Sequence, residues 1–360
     1  MGNQITLALG TTTEQMKALY FNATQLREPS YRLWQLNTKG NRYYYSVDET
    51  TGEPTFYPSV TTILHNVMPE NKFLTEWKLS LGKDEALAYT MERANYGTFV
   101  HGQLAQLMIS RRYNLDGVRD EMTKFVEREK LPLGFVDAHE DEAKADIKAF
   151  AKWMKDYDVR PYAVEVSLFS PAYGYAGMID CVCNMREFSK EDELKSVEKA
   201  NGDEKKLAKV AEKFSSRIDA IVDFKSGKKG FYDEYKLQLE LYRMMWNENF
   251  PDKSIERIFN IAPKDWTKTA KKAPSYTFEE QTGDEELAKI PALLELYRLS
   301  DKDERKVCVV SGMIDLDSDK DDNVAVYTLA ELVKNANKEK AQDEAIDEEE
   351  DPFKALLGGE

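Results

Sequence analysis

The sequence predicts a mixed α/β domain, with a central β-sheet flanked by helices. Three observations predict it. Two short apolar strands, around residues 177–182 and 220–225, each place charged residues inside an otherwise buried pattern. Segments with the 3.6-residue apolar period of amphipathic helices stand before and after them. A further apolar strand at 257–263 follows the second helix-rich stretch, and elements alternating in this way cover a sheet with helices.

In chain order, residues 16–26 carry an apolar pattern that suits a short helix. Residues 32–45 read as strand, with 37–41 as a turn, and 51–54 form a second turn. The run Tyr57-Pro58-Ser59-Val60-Thr61-Thr62-Ile63-Leu64 leads into a helix, with Ser59 or Thr61 as its N-cap. Residues 74–81 and 85–108 are helical by period. Residues 147–157 form another amphipathic helix, which Pro161 ends.

Residues 162–169 then alternate. Val164, Val166 and Leu168 fall on one face, and Ala163, Glu165 and Ser167 on the other. A Gly-rich turn at 173–177 precedes a strand at 178–183. Of the 32 residues from 186 to 217, 17 are charged, and Asn201-Gly202 interrupts them. They read as a solvated helical insertion between two strands. A strand at 216–226, a helix at 234–247, the strand at 257–263 and a helix at 287–299 complete the order.

The chain accordingly divides into an N-terminal extension with short strands (1–56), a main domain (57–300) that holds the insertion, a C-terminal element (301–335) and an acidic tail (336–360) expected to be disordered.

With 360 residues, 42% hydrophobic and 11% aromatic, the chain suits a folded globular protein. No run approaches 18 apolar residues, so no membrane span is expected. Residues 1–10 lack a basic region followed by an apolar one and are not Arg-rich, so neither a secretory nor a mitochondrial leader is expected. Met1-Gly2 with Thr6 fits the loose myristoylation pattern, but no polybasic patch follows it. Cys181, Cys183 and Cys308 are too few for a four-cysteine iron–sulfur cluster or a closed zinc site. They suit buried filler in a reducing cytoplasm.

The net charge of −15 excludes a binder of nucleic acid that relies on a global field. Residues 337–360 account for −6 of it, with nine acids and three lysines. The remainder is still acidic. Any nucleic-acid path is therefore a local basic groove.

The chemistry lies on the two apolar strands. Asp223 and Lys225 are two apart and share a face, while Val222 and Phe224 point to the core. An acid and a lysine there are costly unless they have a use. If the strands pair, Asp180 lies beside Asp223. Two converging carboxylates suit Mg²⁺ or Mn²⁺, which can lower the pKa of a water. Lys225 can then hold that water and offset developing charge. A lone D-x-K, by contrast, is usually a surface ion pair.

The pattern as a whole resembles the RecB-like branch of the PD-(D/E)XK nucleases. Gly97-Thr98-Phe99-Val100-His101 is similar to its first motif, Gly177-Met178-Ile179-Asp180 to its G-x-x-D strand, Asp223-Phe224-Lys225 to its D-x-K strand, and Gln238-Leu239-Glu240-Leu241-Tyr242 to its Q-x-x-x-Y helix. All four stand in the family's order. Residues 58–64, followed by Leu74 and Trp77, look like the P-S-V-T-x-I-L segment of phage nucleases and of the mitochondrial genome maintenance exonuclease. The similarity spans roughly residues 57–263.

That resemblance implies a restriction-endonuclease-like core within 57–300, with His101, Asp180 and Asp223 as metal ligands and Glu165 as an additional acid. Asp180, Asp223 and Lys225 would be catalytic. Gln238, Tyr242, Ser59, Thr61 and Thr98 would meet the DNA backbone. Gln238 and Tyr242, four apart, do share a helix face. Ser59 and Thr61 equally suit simple capping. The implied activity is hydrolysis of DNA single strands or ends in phage or bacterial replication, recombination or repair, in the host cytoplasm, with Mg²⁺ or Mn²⁺ and no iron–sulfur cluster. A non-catalytic DNA-binding or assembly protein and a structure-specific endonuclease are the alternatives.

The sequence departs from the family in two places. Ala105 stands where many relatives carry Glu, and Asp223 comes 43 positions after Asp180.

His65 and His139 have no matched partners and read as surface or packed residues. Lys228, Lys229 and the lysine-rich stretch around Trp266 could track a single strand, with the indole stacking on a base, or could simply be solvated loops. The acidic run 347–351 before Pro352-Phe353 could dock a replication or recombination partner, or only solubilise.

Overall fold

The computed structural model describes residues 12–38, 41–70, 72–226, 231–264, 275–300, 306–310 and 324–337. Strands β1 (Thr12–Met16), β2 (Tyr20–Phe21), β3 (Leu33–Asn37), β4 (Arg42–Val47) and β5 (Pro54–Pro58) come first. Helices α1 (Val60–Val67), α2 (Lys72–Leu81), α3 (Lys83–Ser110), α4 (Val118–Arg128) and α5 (Gly134–Asp156) follow. Then come β6 (Arg160–Ser170), β7 (Tyr175–Arg186), α6 (Lys190–Ala200), α7 (Glu204–Phe214), β8 (Arg217–Phe224), α8 (Asp233–Asn249) and β9 (Arg257–Lys264). The last elements are β10 (Ser275–Glu280), α9 (Asp284–Leu299), β11 (Lys306–Val310), β12 (Val324–Thr328) and a helix over 329–337, here α10.

The central sheet has six strands in the order β10-β9-β8-β7-β6-β2. Every neighbouring pair is antiparallel except β8 and β9, which α8 joins as the crossover that a parallel pair requires. Helices cover both faces. On one, Val164, Cys181, Val222 and Phe224 pack with Phe99, Leu104, Ile147 and Trp153 from α3 and α5. On the other, Ile179, Val182, Ile221 and Ile258 pack with Ile63, Leu241, Trp246 and Ile290 from α1, α8 and α9. Burial on both faces explains why these strands read as apolar runs rather than alternating ones. The expected mixed α/β architecture is present.

The charged insertion does not separate its flanking strands. β7 and β8 pair from Arg186↔Arg217 to Cys181↔Val222. Between them α6 and α7 form a helical hairpin, capped by Ser189 and Asp203. Asn201, in the left-handed region at φ 46°, makes the break between the two helices.

Several expectations need correction. Residues 16–26 are not a helix. β1 ends at Met16, and Tyr20-Phe21 add to the free edge of β6, where Phe21 meets the Phe250 ring at 5.9 Å. The Asn22 side chain then accepts from the Thr24 amide and turns the chain.

β6 does not alternate regularly. Val164 belongs to the α3 side, whereas Val166 and Leu168 belong to the α8 side. The phase slips at Glu165, whose φ of 51° is left-handed.

α5 begins at Gly134, well before residue 147. Its buried face carries His139, Glu142 and Asp146, and these polar residues mask the period. α4, β10, β11 and β12 are additional elements.

β1, β3, β4 and β5 form a separate four-stranded antiparallel sheet. α10 lies on it, burying Leu329, Leu332 and Val333 against Leu36, Tyr43 and Tyr45. Thr13 donates to the Asn337 side chain at 3.3 Å. Tyr57, stacked on Phe169 at 4.7 Å, and a bridge from Ser59 to Ala176 link this sheet to the β6–β7 hairpin. No helix among the described residues is long and apolar enough to cross a membrane.

Candidate metal centre and catalytic site

The site forms where the β7–β8 ladder stops. Its last pair is Cys181↔Val222, so one further step would set Asp180 opposite Asp223. The Phe224 amide instead donates to Asp180 Oδ2 at 2.7 Å. On the other flank of β7, Glu165 lies between the pairs Val164↔Cys181 and Val166↔Ile179, level with Asp180. On β9, Asn260 is in register with Asp223. Glu165, Asp180, Asp223 and Asn260 thus make a row across four strands, and all four are buried.

α3 brings the histidine. Arg93, Gly97 and His101 recur every four residues and share one face. At Gly97 a Cβ would stand 3.3 Å from Ser226 Oγ, so the missing side chain lets the helix approach the end of β8. Arg93 donates to the Ser226 carbonyl at 3.2 Å and to Glu142 at 2.8 Å. His101 Nδ1 lies 3.6 Å from Asp180 and 3.9 Å from Glu165. One ligand atom from each of these three residues falls within 4.8 Å of the others.

Burial disfavours charge on His101, but Asp180, Glu165 and Asp223 outweigh it and raise the imidazole to about 9. Burial, reinforced by Asp180, lifts Glu165 to about 7. Burial acts upward on Asp180 too, yet His101 and the Phe224 amide hold it below the usual carboxylate range.

Asp223 stands beside this cluster in a second arrangement. Its Oδ2 meets Lys225 Nζ at 2.7 Å and accepts from Asn260 Nδ2 at 2.8 Å. Burial lifts the Asp223 carboxyl despite the pull of Lys225. Burial acts against the Lys225 ammonium, and Asp223 more than restores it.

Lys225 also donates to Gln238 Oε1 at 3.0 Å and sits 4.0 Å above the Tyr235 ring. Gln238 Nε2 reaches the Tyr242 hydroxyl at 3.0 Å and Asp223 Oδ1 at 3.4 Å. Gly177 is the seat of Tyr242. A Cβ there would come within 2.7 Å of the ring.

The donor set suits a hard divalent cation. It is rich in carboxylate oxygen, with one imidazole nitrogen. Glu165 Oε1 is buried without a hydrogen-bond partner, with His101 Nδ1 3.9 Å away, and is free to bond an ion or a water.

The other expected residues are more dispersed. Ser59 is buried and caps α1, accepting from the Thr62 amide at 3.0 Å, while Thr61 is exposed on the first turn. Thr98 is exposed and bonds back to the Ala94 carbonyl. Lys228, Lys229, Trp266 and the tail beyond residue 337 lie outside the described residues. Cys181 and Cys183 are buried, and Ala105 is core. His139 does have partners, Glu92 at 2.7 Å and Glu142 at 3.1 Å. Arg93, Tyr235 and Asn260 were not foreseen. The one available signal was the lone polar residue inside the apolar strand Ile258-Phe259-Asn260-Ile261.

No protein-family model matches the chain, and no curated protein matches it significantly.

Proposed function

We propose that this chain is a divalent-metal-dependent deoxyribonuclease with a PD-(D/E)XK-like core. One observation carries the reading. His101, Glu165 and Asp180, from a helix and two strands, converge beside the Asp223–Lys225 pair. The four sequence motifs and the six-stranded mixed sheet with helices on both faces support it.

In this reading His101, Asp180 and Glu165 hold the cation, with Asp223 at its margin. When bound, that cation supplies positive charge to the scissile phosphate and acidifies a water. The protein's own groups do the rest. Lys225 donates to the attacking water or to a phosphate oxygen as negative charge develops. Gln238 keeps the ammonium aimed by accepting one of its protons, and the Tyr242 hydroxyl in turn accepts from Gln238. Asp223 takes up the proton of the water or keeps Lys225 charged. With a net charge of −15, DNA is met through a local path rather than a general field. Single strands or free ends are the substrate we favour.

Single- and double-stranded DNA labelled at either end, incubated with Mg²⁺ or Mn²⁺, tests this. Wild-type protein should cut, and Asp223→Ala and Lys225→Ala should each lose at least about 10²–10³-fold in rate. Cutting by either variant at the wild-type rate, or cutting that persists in chelator, would sink the reading.

A further inference from the structure

We propose that Asn260 is a positioning residue of this site. Its amide fixes the Asp223 carboxylate so that Oδ2 faces Lys225 and Oδ1 is left for a divalent cation. The inference rests on the metal-dependent reading above and deepens it.

Asn260 lies on β9, in register with Asp223 on the parallel neighbour β8. It is fully buried. The strand around it is apolar, with Ile258, Phe259, Ile261 and Ala262 all in the core. Its Nδ2 donates to Asp223 Oδ2 at 2.8 Å. A carboxylate only accepts, so chemistry fixes the orientation of the amide. The Asn260 Oδ1 that remains is buried and has no partner.

A fully buried amide with one arm unsatisfied carries a desolvation cost that only a needed bond offsets. The residue therefore serves its one bond. That bond and Lys225 Nζ both load the same oxygen, Oδ2. Oδ1 receives only the 3.4 Å contact from Gln238. A partial rotation of the carboxylate would swing Oδ1 off its heading, and Asn260, bonded to Oδ2, opposes that rotation from inside the sheet. Groups that orient ligands in this way typically change metal affinity by 10–100-fold when removed.

The test uses the full chain without DNA, and Mn²⁺ alone as the probe. Mn²⁺ affinity is read by titration calorimetry or electron paramagnetic resonance, and thermal melting is read in parallel. Asn260→Leu should weaken Mn²⁺ binding about 10–100-fold. Its melting temperature in the absence of metal should stay close to that of wild type, because Lys225 still pairs with Asp223 Oδ2. Asn260→Ser, which keeps a donor, should bind nearer to wild type than Asn260→Ala.

Equal Mn²⁺ affinity for wild type and Asn260→Leu overturns the proposal. So does a loss of affinity that comes with a large fall in melting temperature, which marks a structural role. Should Asn260→Leu not fold, the Ala and Ser variants decide, since they differ by one hydroxyl, and equal affinities overturn the proposal. Wild-type protein that binds no Mn²⁺ instead sinks the metal-site reading itself.

Discussion

Tyr242 lies against the bare Cα of Gly177, where a methyl group would fall 2.7 Å from its ring carbon Cε1. Two motifs with 57 residues of sequence between them (181–237) are therefore one packing contact. Gly177 is three residues before Asp180, and Tyr242 is hydrogen-bonded to Gln238, which touches both Lys225 and Asp223. The contact thus couples the β7 strand to the lysine.

Gly177→Ala should destabilise the protein by about 1–3 kcal/mol, the usual range for overpacking a tight core. It should also lower cleavage, because the tyrosine must move. Gly97→Ala should be milder, since its neighbour at 3.3 Å is the rotatable Ser226 hydroxyl. Urea denaturation of both variants checks the order.

Stability of the metal-free protein should depend on pH in a definite direction. Glu165 is raised to about 7 and His101 to about 9, both above their unfolded values. A raised folded pKa gives stability that is present below the unfolded pKa and is lost as pH rises through the folded one. Melting temperature should therefore fall from about pH 5 to pH 9. Glu165→Gln should remove the part of the fall below about pH 7 and stabilise the neutral protein by on the order of 1–3 kcal/mol. Saturating Mn²⁺ should oppose the fall in the wild type. A flat profile in metal-free wild type counts against the buried cluster.

Arg93 and Glu142 form a largely buried ion pair at 2.8 Å. Arg93→Met leaves Glu142 with only His139 beside it and should cost up to about 3–5 kcal/mol. The double change Arg93→Met with Glu142→Gln should recover much of that, which a double-mutant cycle in urea measures. Additive losses would mean that the two side chains act separately.

The insertion should be dispensable for the site. Glu187 donates its amide to the Ser216 carbonyl at 3.1 Å, continuing the β7–β8 ladder. Replacing residues 188–215 by Asn-Gly joins these positions with a two-residue turn suited to such a hairpin. Mn²⁺ affinity and DNA cleavage should persist in the shortened chain. Loss of both in a folded variant would give α6 and α7 a direct part in the site.

Much of this was legible in the sequence. That Asp223 and Lys225 share a face follows from strand period, and their ion pair agrees with it. The insertion was readable from its charge and its Asn-Gly break. Pairing of Asp180's strand across it was a conditional reading that the register satisfies. What stayed hidden depends on tertiary context. Nothing local announces that Glu165 takes a left-handed backbone between two paired residues of β6. His139, Glu142 and Asp146 look like solvent-facing residues until Glu92, Arg93 and Tyr96 arrive from α3 to meet them. Asn260 is a single polar letter whose partner lies on another strand.

The helix α10 has a consequence for how the protein is made. It is among the last described segments to leave the ribosome, yet it covers Leu36, Tyr43 and Tyr45 near the start of the chain. Until residue 333 is translated, the four-stranded sheet has an open apolar face. Contacts of such long sequence separation form slowly, and exposed apolar surface on a nascent chain favours aggregation. Chains that stop short of α10 should therefore keep His101, Glu165, Asp180 and Asp223 but accumulate as insoluble or chaperone-bound protein.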